Sequence, residues 1–436
     1  MFEKIVYIGD YDAEIKLKDT SSLETDIMNM PLILEDNEKS ILAEIKELLD
    51  GRVKVKLLGE IVNNHFVGGI LRKPSLNATI RALKLEELSL IVSDEKYGNL
   101  ELGISPFYAS KKIYANINDL FGHHMCIIGN TGCGKSCGVA RLIQNVFYNP
   151  TFIPFRSNFL IFDSSGEYYT AFSKITEKNP NYHYRFYTTN LNSPYEGELL
   201  KIPVWLLNVE DLALLLSATT HTQLSIIEKM MKLVKIFSQS DSDATKYKNH
   251  LIANAIMTIM YSNQGSASKR DEIFSIFNTC PTEEFNLNSV VQGIGYTRRL
   301  QECFLIDNND QFSERVLLTE YVNKFIIPEL NQYEPENTHY FTLKDMEKAL
   351  NFALISEGWL RNENVYADAI ALKVKLHELV IGNTAKFFDC KEFVRLDQFF
   401  SNMIVNDGKK YQIININLED VDDSFAKAIV KIFSRL

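Results

Sequence analysis

Gly129-Asn130-Thr131-Gly132-Cys133-Gly134-Lys135-Ser136 fits the pattern G-x-x-x-x-G-K-[ST] at every fixed position. Before it, Met125-Cys126-Ile127-Ile128 is an unbroken apolar run, which predicts a parallel strand buried on both faces. After it, Val139, Leu142, Ile143 and Val146 recur at helical spacing until Asn149-Pro150. Strand, glycine loop and helix therefore follow in the order a phosphate cradle requires. Gly132 and Gly134 let the backbone curl so that its N–H groups face phosphate oxygens, and the helix N-terminus adds partial positive charge. Asn130, Thr131, Gly132, Cys133, Gly134, Lys135, Ser136 and Cys137 are the expected nucleotide-binding set. Lys135 is expected to reach the β- and γ-phosphates, and the Ser136 hydroxyl to serve Mg²⁺. Cys133 and Cys137 lack partners at zinc spacing and are expected to be small packing residues.

The chain has 436 residues, 46% of them hydrophobic and 23% charged, enough for two or three globular domains. Six cysteines are scattered without C-x-x-C pairs, and no basic-then-apolar leader opens the sequence, so a cytoplasmic protein with reduced thiols is expected. No apolar stretch approaches the roughly 20 residues of a membrane span. A net charge of −10 argues against attraction to nucleic acid over the whole surface while leaving a local patch open.

Residues 1–115 read as a separate β-rich domain. Ile15 and Leu17 alternate with Glu14, Lys16 and Lys18, and Val53, Val55 and Leu57 with Lys54 and Lys56. Between them Ile41, Leu42, Ile45, Leu48 and Leu49 predict one amphipathic helix closed by Asp50-Gly51. Short strands with one helix suggest a small barrel, a docking or assembly module without nucleophile or metal cluster.

From 116 the pattern turns α/β. Phe159-Leu160-Ile161-Phe162 predicts a second buried strand delivering Asp163-Ser164-Ser165-Gly166-Glu167-Tyr168 to the edge where parallel sheets bind ligands. Two readings of Asp163 stand: an acid on the Mg²⁺ side with Glu167 nearby to orient water, or a cap of the following turn. Residues 222–400 read as a helical insertion. Its Met and Ile stripes (Leu224, Ile227, Met231, Val234; Leu251, Ile252, Ala255, Ile256, Ile259, Met260) are expected to be core, and 238–245, 262–268 and 307–310 loops. Lys269-Arg270 and Arg298-Arg299 are either phosphate contacts or ordinary solvated surface, the latter being the commoner fate of such pairs. His65, His183, His250 and His377 show no metal spacing, and His123-His124 is expected to be structural. Tyr411 to Leu418 predicts a strand, and Phe425, Ala428, Ile429, Ile432 and Phe433 a closing helix with no cap after Arg435-Leu436.

Four segments in order resemble the HerA-like branch of the HerA/FtsK ATPases. Asp119 to His124 leading into Gly129–Ser136 is similar to the family's approach to its phosphate loop. Asp163 to Tyr168 is similar to its D-P-H-G-E-Y segment, with Ser164-Ser165 in place of Pro-His. Ile202 to Asn208 followed by Gln223, and Ile413 to Asp423, resemble two later blocks. The resemblance implies an α/β P-loop NTPase with a RecA-like parallel sheet, an N-terminal small β-barrel (1–115), an ATPase core (116–221 and 401–436) and a helical insertion (222–400). It implies ATP with Mg²⁺ at the subunit boundaries of a homohexameric ring moving on double-stranded DNA, and catalytic roles for Lys135, Asp163 and Glu167. Partners of that family include a NurA-type nuclease or, in antiphage defence, a sirtuin-like NAD-consuming effector or another nuclease. The family's water-polarising acid lies on a later strand that this sequence lacks, so Asp163 and Glu167 become secondary groups and about 100 to 200 further residues are expected beyond Leu436.

Two functions follow. One is a DNA-translocating ATPase motor; the other a nucleotide-gated scaffold that organises an effector without moving DNA. A metabolic P-loop kinase fits less well, since such kinases are small and lack the barrel domain.

Overall fold

The computed structural model describes residues 1–18, 27–36, 39–91, 99–105, 111–148, 156–332 and 339–435. The chain forms two compact units: residues 1–157 with 177–180, and residues 158–176 with 181–436.

The first unit opens with β1 (Phe2–Ile8), β2 (Asp12–Leu17), β3 (Pro31–Asp36), β4 (Lys39–Leu49), β5 (Arg52–Val62), β6 (His65–Gly68) and β7 (Thr79–Ala82). They pair in the order β1-β2-β5-β4-β3-β7, antiparallel throughout, with β6 folded back on β5. β1 and β7 approach each other, so the sheet curls towards a barrel, although no ladder joins them among the described residues.

The segment expected as a helix, Ile41 to Leu49, is instead strand β4. The cause lies in its two apolar faces. Ile41, Ala43 and Ile45 fill the interior of the curled sheet, whereas Leu42 points the other way, into a second cluster with Ile33, Leu83 and Leu88. Register shifts after Leu42 and Ile45 then break strict alternation, and a doubly covered, bulged strand imitates helical spacing. The helix of this region lies at Leu85–Ile91.

A hairpin of β8 (Asn99–Ile104) and β9 (Lys112–Asn116) follows. It carries the short helix Ile117–Phe121, capped by the Asn116 side chain, and packs on the helix Lys135–Tyr148. The stop signal Asn149-Pro150 lies outside the described residues.

The second unit contains β10 (Phe159–Asp163), β11 (His183–Thr188), β12 (Glu198–Leu199), β13 (Val290–Gln292), β14 (Thr297–Arg299), β15 (Val405–Asn406) and β16 (Lys409–Asn417). Its main sheet runs β10-β16-β11-β12, all parallel, with β15 as an antiparallel hairpin partner of β16. The strand near the end of the sequence is thus central, and Ile413, Ile414 and Ile416 are buried there. β10, expected to be covered on both sides, is an edge strand among the described residues, and Leu160 keeps 39% of its surface exposed.

Residues 222–400 are mainly helical, as expected. The helices His221–Phe237, Ser242–Met260 and Leu343–Ser356 bury Ile227, Val234, Ile252, Ile256, Met346 and Leu350 in one core, so the Met and Ile stripes are packing residues. Two expected loops are shorter than read: Asp241 caps a helix from Ser242, and another starts at Ser266. The last helix, Asp423–Arg435, buries Phe425, Ala428, Ile429, Ile432 and Phe433, and Arg435 Nη2 donates to the fully buried Asp211 Oδ2 at 2.6 Å. Leu436 lies outside the described residues. No helix of the described residues is long and apolar enough to cross a membrane.

Candidate nucleotide-binding site

The glycine loop belongs to the first unit. Gly132 and Gly134 take φ of +82° and +86°, the left-handed region that a side chain disfavours. These two reversals lead the chain into the 14-residue helix Lys135–Tyr148 within four residues. That helix is anchored by Ala140, Ile143, Val146 and Phe147 on its buried face, and Asn145 Nδ2 donates to the Glu101 carbonyl at 2.9 Å. Its start directly follows the glycine loop, and a helix start with its N–H groups and dipole is the arrangement that binds anions.

Lys135 bends back over this loop. Its Nζ donates to the carbonyls of Gly129 at 2.9 Å and Asn130 at 2.8 Å. Cys133 N donates to the Asn130 carbonyl at 3.3 Å, closing the turn. The approach at Gly129 is tight, since a Cβ there would lie 2.4 Å from Cys133 Sγ. Asn130 to Cys137 are thus gathered on one loop and helix start. Their chemistry fits a nucleoside triphosphate with Mg²⁺: a cationic side chain, a helix start and the Ser136 hydroxyl, with no carboxylate in the loop to repel phosphate.

The strand expected at Met125–Ile128 is absent. The segment joins no ladder among the described residues, and Ile128 is 88% exposed. A strand is defined by its ladder, and these residues have no ladder partner among the described ones. Cys126, Cys133 and Cys137 are exposed rather than packed, a correction for the last two. His123 and His124 are exposed as well, His123 lying 3.3 Å from the Asp119 carbonyl.

Asp163 and Glu167 belong to the second unit. Asp163 ends β10 and is only 2% exposed. Both its oxygens accept backbone N–H groups: Oδ1 from Ser165 at 3.3 Å and Glu167 at 3.2 Å, Oδ2 from Tyr168 at 2.9 Å. Of the two readings of Asp163, the geometry matches the turn cap. Glu167 is exposed on that turn, joined to Asp163 through its own N–H. Gly166 takes φ of +69°, and a Cβ there would meet Glu419 Oε2 at 2.6 Å.

The sheet register places further polar groups level with Asp163. Asn417 on β16 pairs with Asp163, and Thr188 on β11 pairs with Asn417 in turn, all three buried. Asn417 Oδ1 accepts from Glu419 N at 2.9 Å, and the Asn417 carbonyl accepts from Thr189 Oγ1 at 3.1 Å. Asn415 Nδ2 donates to the Tyr184 hydroxyl at 3.1 Å, and burial pushes that phenol well above its ordinary range. The signal was available in the sequence: two asparagines interrupt the apolar run Ile413-Ile414-Asn415-Ile416-Asn417. No cluster of three or more His, Cys, Asp or Glu side chains that could hold a metal ion occurs among the described residues.

Residues 100–294 match the family model of the helicase HerA central domain. The DNA double-strand break repair helicase HerA of Saccharolobus solfataricus is 34% identical over 120 residues, which cover 28% of this chain and 22% of that relative. The chain therefore spans about a fifth of the length of the curated relative it matches. The central part of the chain is thus similar to the HerA central domain.

Proposed function

We propose that the protein is a subunit of an ATP-driven motor acting on double-stranded DNA. The observation that carries this reading is the loop at Gly129–Ser136, whose reversed glycines, helix start and folded-back Lys135 suit a triphosphate, within a segment similar to the HerA central domain. Asn130 to Cys137 hold the nucleotide, and Ser136 contributes to the Mg²⁺ site. Bound Mg²⁺ would neutralise phosphate charge. Lys135 exchanges two neutral carbonyl acceptors for phosphate oxygens, a stronger charge-assisted pairing that orients the terminal phosphate. Asp163 holds the turn that presents Glu167, and Glu167 orients the attacking water.

Residues 1–115 serve docking and assembly, 116–221 with 401–436 the ATPase core, and 222–400 an insertion. The working form is a homohexamer with ATP between subunits. It acts in the cytoplasm with a nuclease or an NAD-consuming effector, in antiphage defence or DNA end processing. The test is ATP hydrolysis by the purified chain with and without duplex DNA, alongside Lys135→Ala. Stimulation by duplex, lost in the variant, supports the motor; nucleotide-dependent assembly with DNA-indifferent turnover supports the scaffold reading instead.

A further inference from the structure

The β13–β14 ribbon in the helical part of the second unit has an unusual tip. Its turn, Gly293-Ile294-Gly295-Tyr296, is closed by Gly293 N donating to the Tyr296 carbonyl at 2.9 Å. Both glycines are required: a Cβ at Gly293 would meet the Tyr296 ring at 2.6 Å, and Gly295 takes φ of +83°. The side chain they hold at the apex, Ile294, is 101% exposed.

The ribbon is braced, so this tip is a fixed feature. Val291, facing inward, is buried, and Arg298 opposite it lies with Nε 3.1 Å from Glu314 Oε1 and its guanidinium 5.3 Å from the Tyr296 ring centroid. The Tyr296 hydroxyl donates to Glu314 Oε2 at 2.9 Å. Glu314 is thereby engaged on both oxygens. On the outward face stand Val290, Gln292, Thr297 and Arg299. Arg299 is exposed and forms no ion pair among the described residues, while Glu302 Oε2 accepts its backbone N–H at 2.9 Å.

A protein-docking surface surrounds its exposed apolar anchor with further apolar area. Here the residues flanking the turn on the outward face are Gln292 and Thr297, followed by Val290 and the cation Arg299 side by side. One rigid aliphatic point, an exposed aromatic ring and the outward guanidinium of Arg299 on a two-stranded ribbon match a different partner. Ribbons of this width enter a DNA groove, single apolar residues wedge between base steps, and arginines neutralise the flanking phosphates. We propose that the β13–β14 ribbon contacts duplex DNA, with Ile294 as the wedge and Arg299 on the backbone. This rests on the DNA-motor reading and adds to it the residues that touch the nucleic acid.

The experiment uses the full chain with a labelled duplex carrying a fluorescent adenine analogue that brightens when unstacked. Binding is measured against salt for wild type, Ile294→Ser and Arg299→Ala. We expect wild type to bind and brighten the probe, Ile294→Ser to bind without brightening, and Arg299→Ala to lower the slope of log affinity against log salt by about 0.9. DNA-independent ATP hydrolysis should be unchanged in both variants. If wild type binds duplex and both variants behave identically to it, the ribbon assignment is overturned and the motor reading stands. If wild type binds no duplex at all, both fall. If Ile294→Ser instead reduces self-association with DNA binding intact, the ribbon is a protein contact and the proposal is wrong.

Discussion

Lys135 places its ammonium 2.8 Å from the backbone carbonyl of Asn130, five residues earlier in the same loop, and 2.9 Å from that of Gly129. The side chain that would grip a triphosphate is therefore already drawn over the loop, held by neutral acceptors that an anion can displace. Charge-assisted hydrogen bonds are worth about 1.5–3 kcal/mol. Lys135→Ala should accordingly weaken ATP binding about 10- to 150-fold, measured by titration calorimetry, with unfolding little changed because both lost bonds are exposed.

Asp163 gives a separate prediction. Its buried carboxylate accepts three backbone N–H groups of the turn that follows. Asp163→Ala should destabilise the second unit by about 2–3 kcal/mol, seen as a lower urea midpoint, and Asp163→Asn by less, since an acceptor remains. Unchanged stability with lost turnover would show that the carboxylate serves the chemistry and not the turn.

The cysteines divide by environment. Cys126, Cys133 and Cys137 are exposed, Cys303 is buried, and burial pushes the Cys280 thiol up to about 12 and the Cys390 thiol up to about 11. Brief maleimide treatment at neutral pH, followed by peptide mass mapping, should label the first three ahead of the others. ATP added beforehand should slow labelling of Cys133, which sits inside the phosphate loop.

An acid-dependent term resides in the first unit. Arg81 Nη2 lies 2.6 Å from both Glu35 Oε1 and Glu87 Oε1, and its hydrogen bond holds the Glu87 carboxyl below the ordinary value of 4.5. A depressed carboxylate stabilises the fold fully above its unfolded pKa, and the contribution is lost as pH falls through the folded one. Glu87→Gln should therefore cost stability at neutral pH and flatten the acid limb of a denaturation profile. The effect should stay below about 1 kcal/mol because the pair is partly exposed.

Much of this was legible from residue order. The glycine loop, the helix after it, the strand ending at Asp163 and the closing amphipathic helix are local patterns, and each appears where its spacing places it, although β10 lies at an edge. What failed depended on distant neighbours. Ile41 to Leu49 reads as a helix because Ile41 and Ile45 serve one core and Leu42 another, a fact set by Ile33 and Leu83 elsewhere in the chain, while Leu48 and Leu49 stay exposed. Met125–Ile128 has the composition of a buried strand, yet a strand exists only with a ladder, and composition does not supply one. Asn417 and Thr188 come level with Asp163 only through the sheet order, which inserts a late strand between two earlier ones.

The most direct measurement is the steady-state ATPase rate of the full chain with Mg²⁺, titrated with duplex DNA at low and raised salt, against Lys135→Ala. The motor account predicts turnover that rises with duplex, declines as salt weakens DNA binding and is absent from the variant. Turnover indifferent to DNA, or equal in Lys135→Ala, would contradict it.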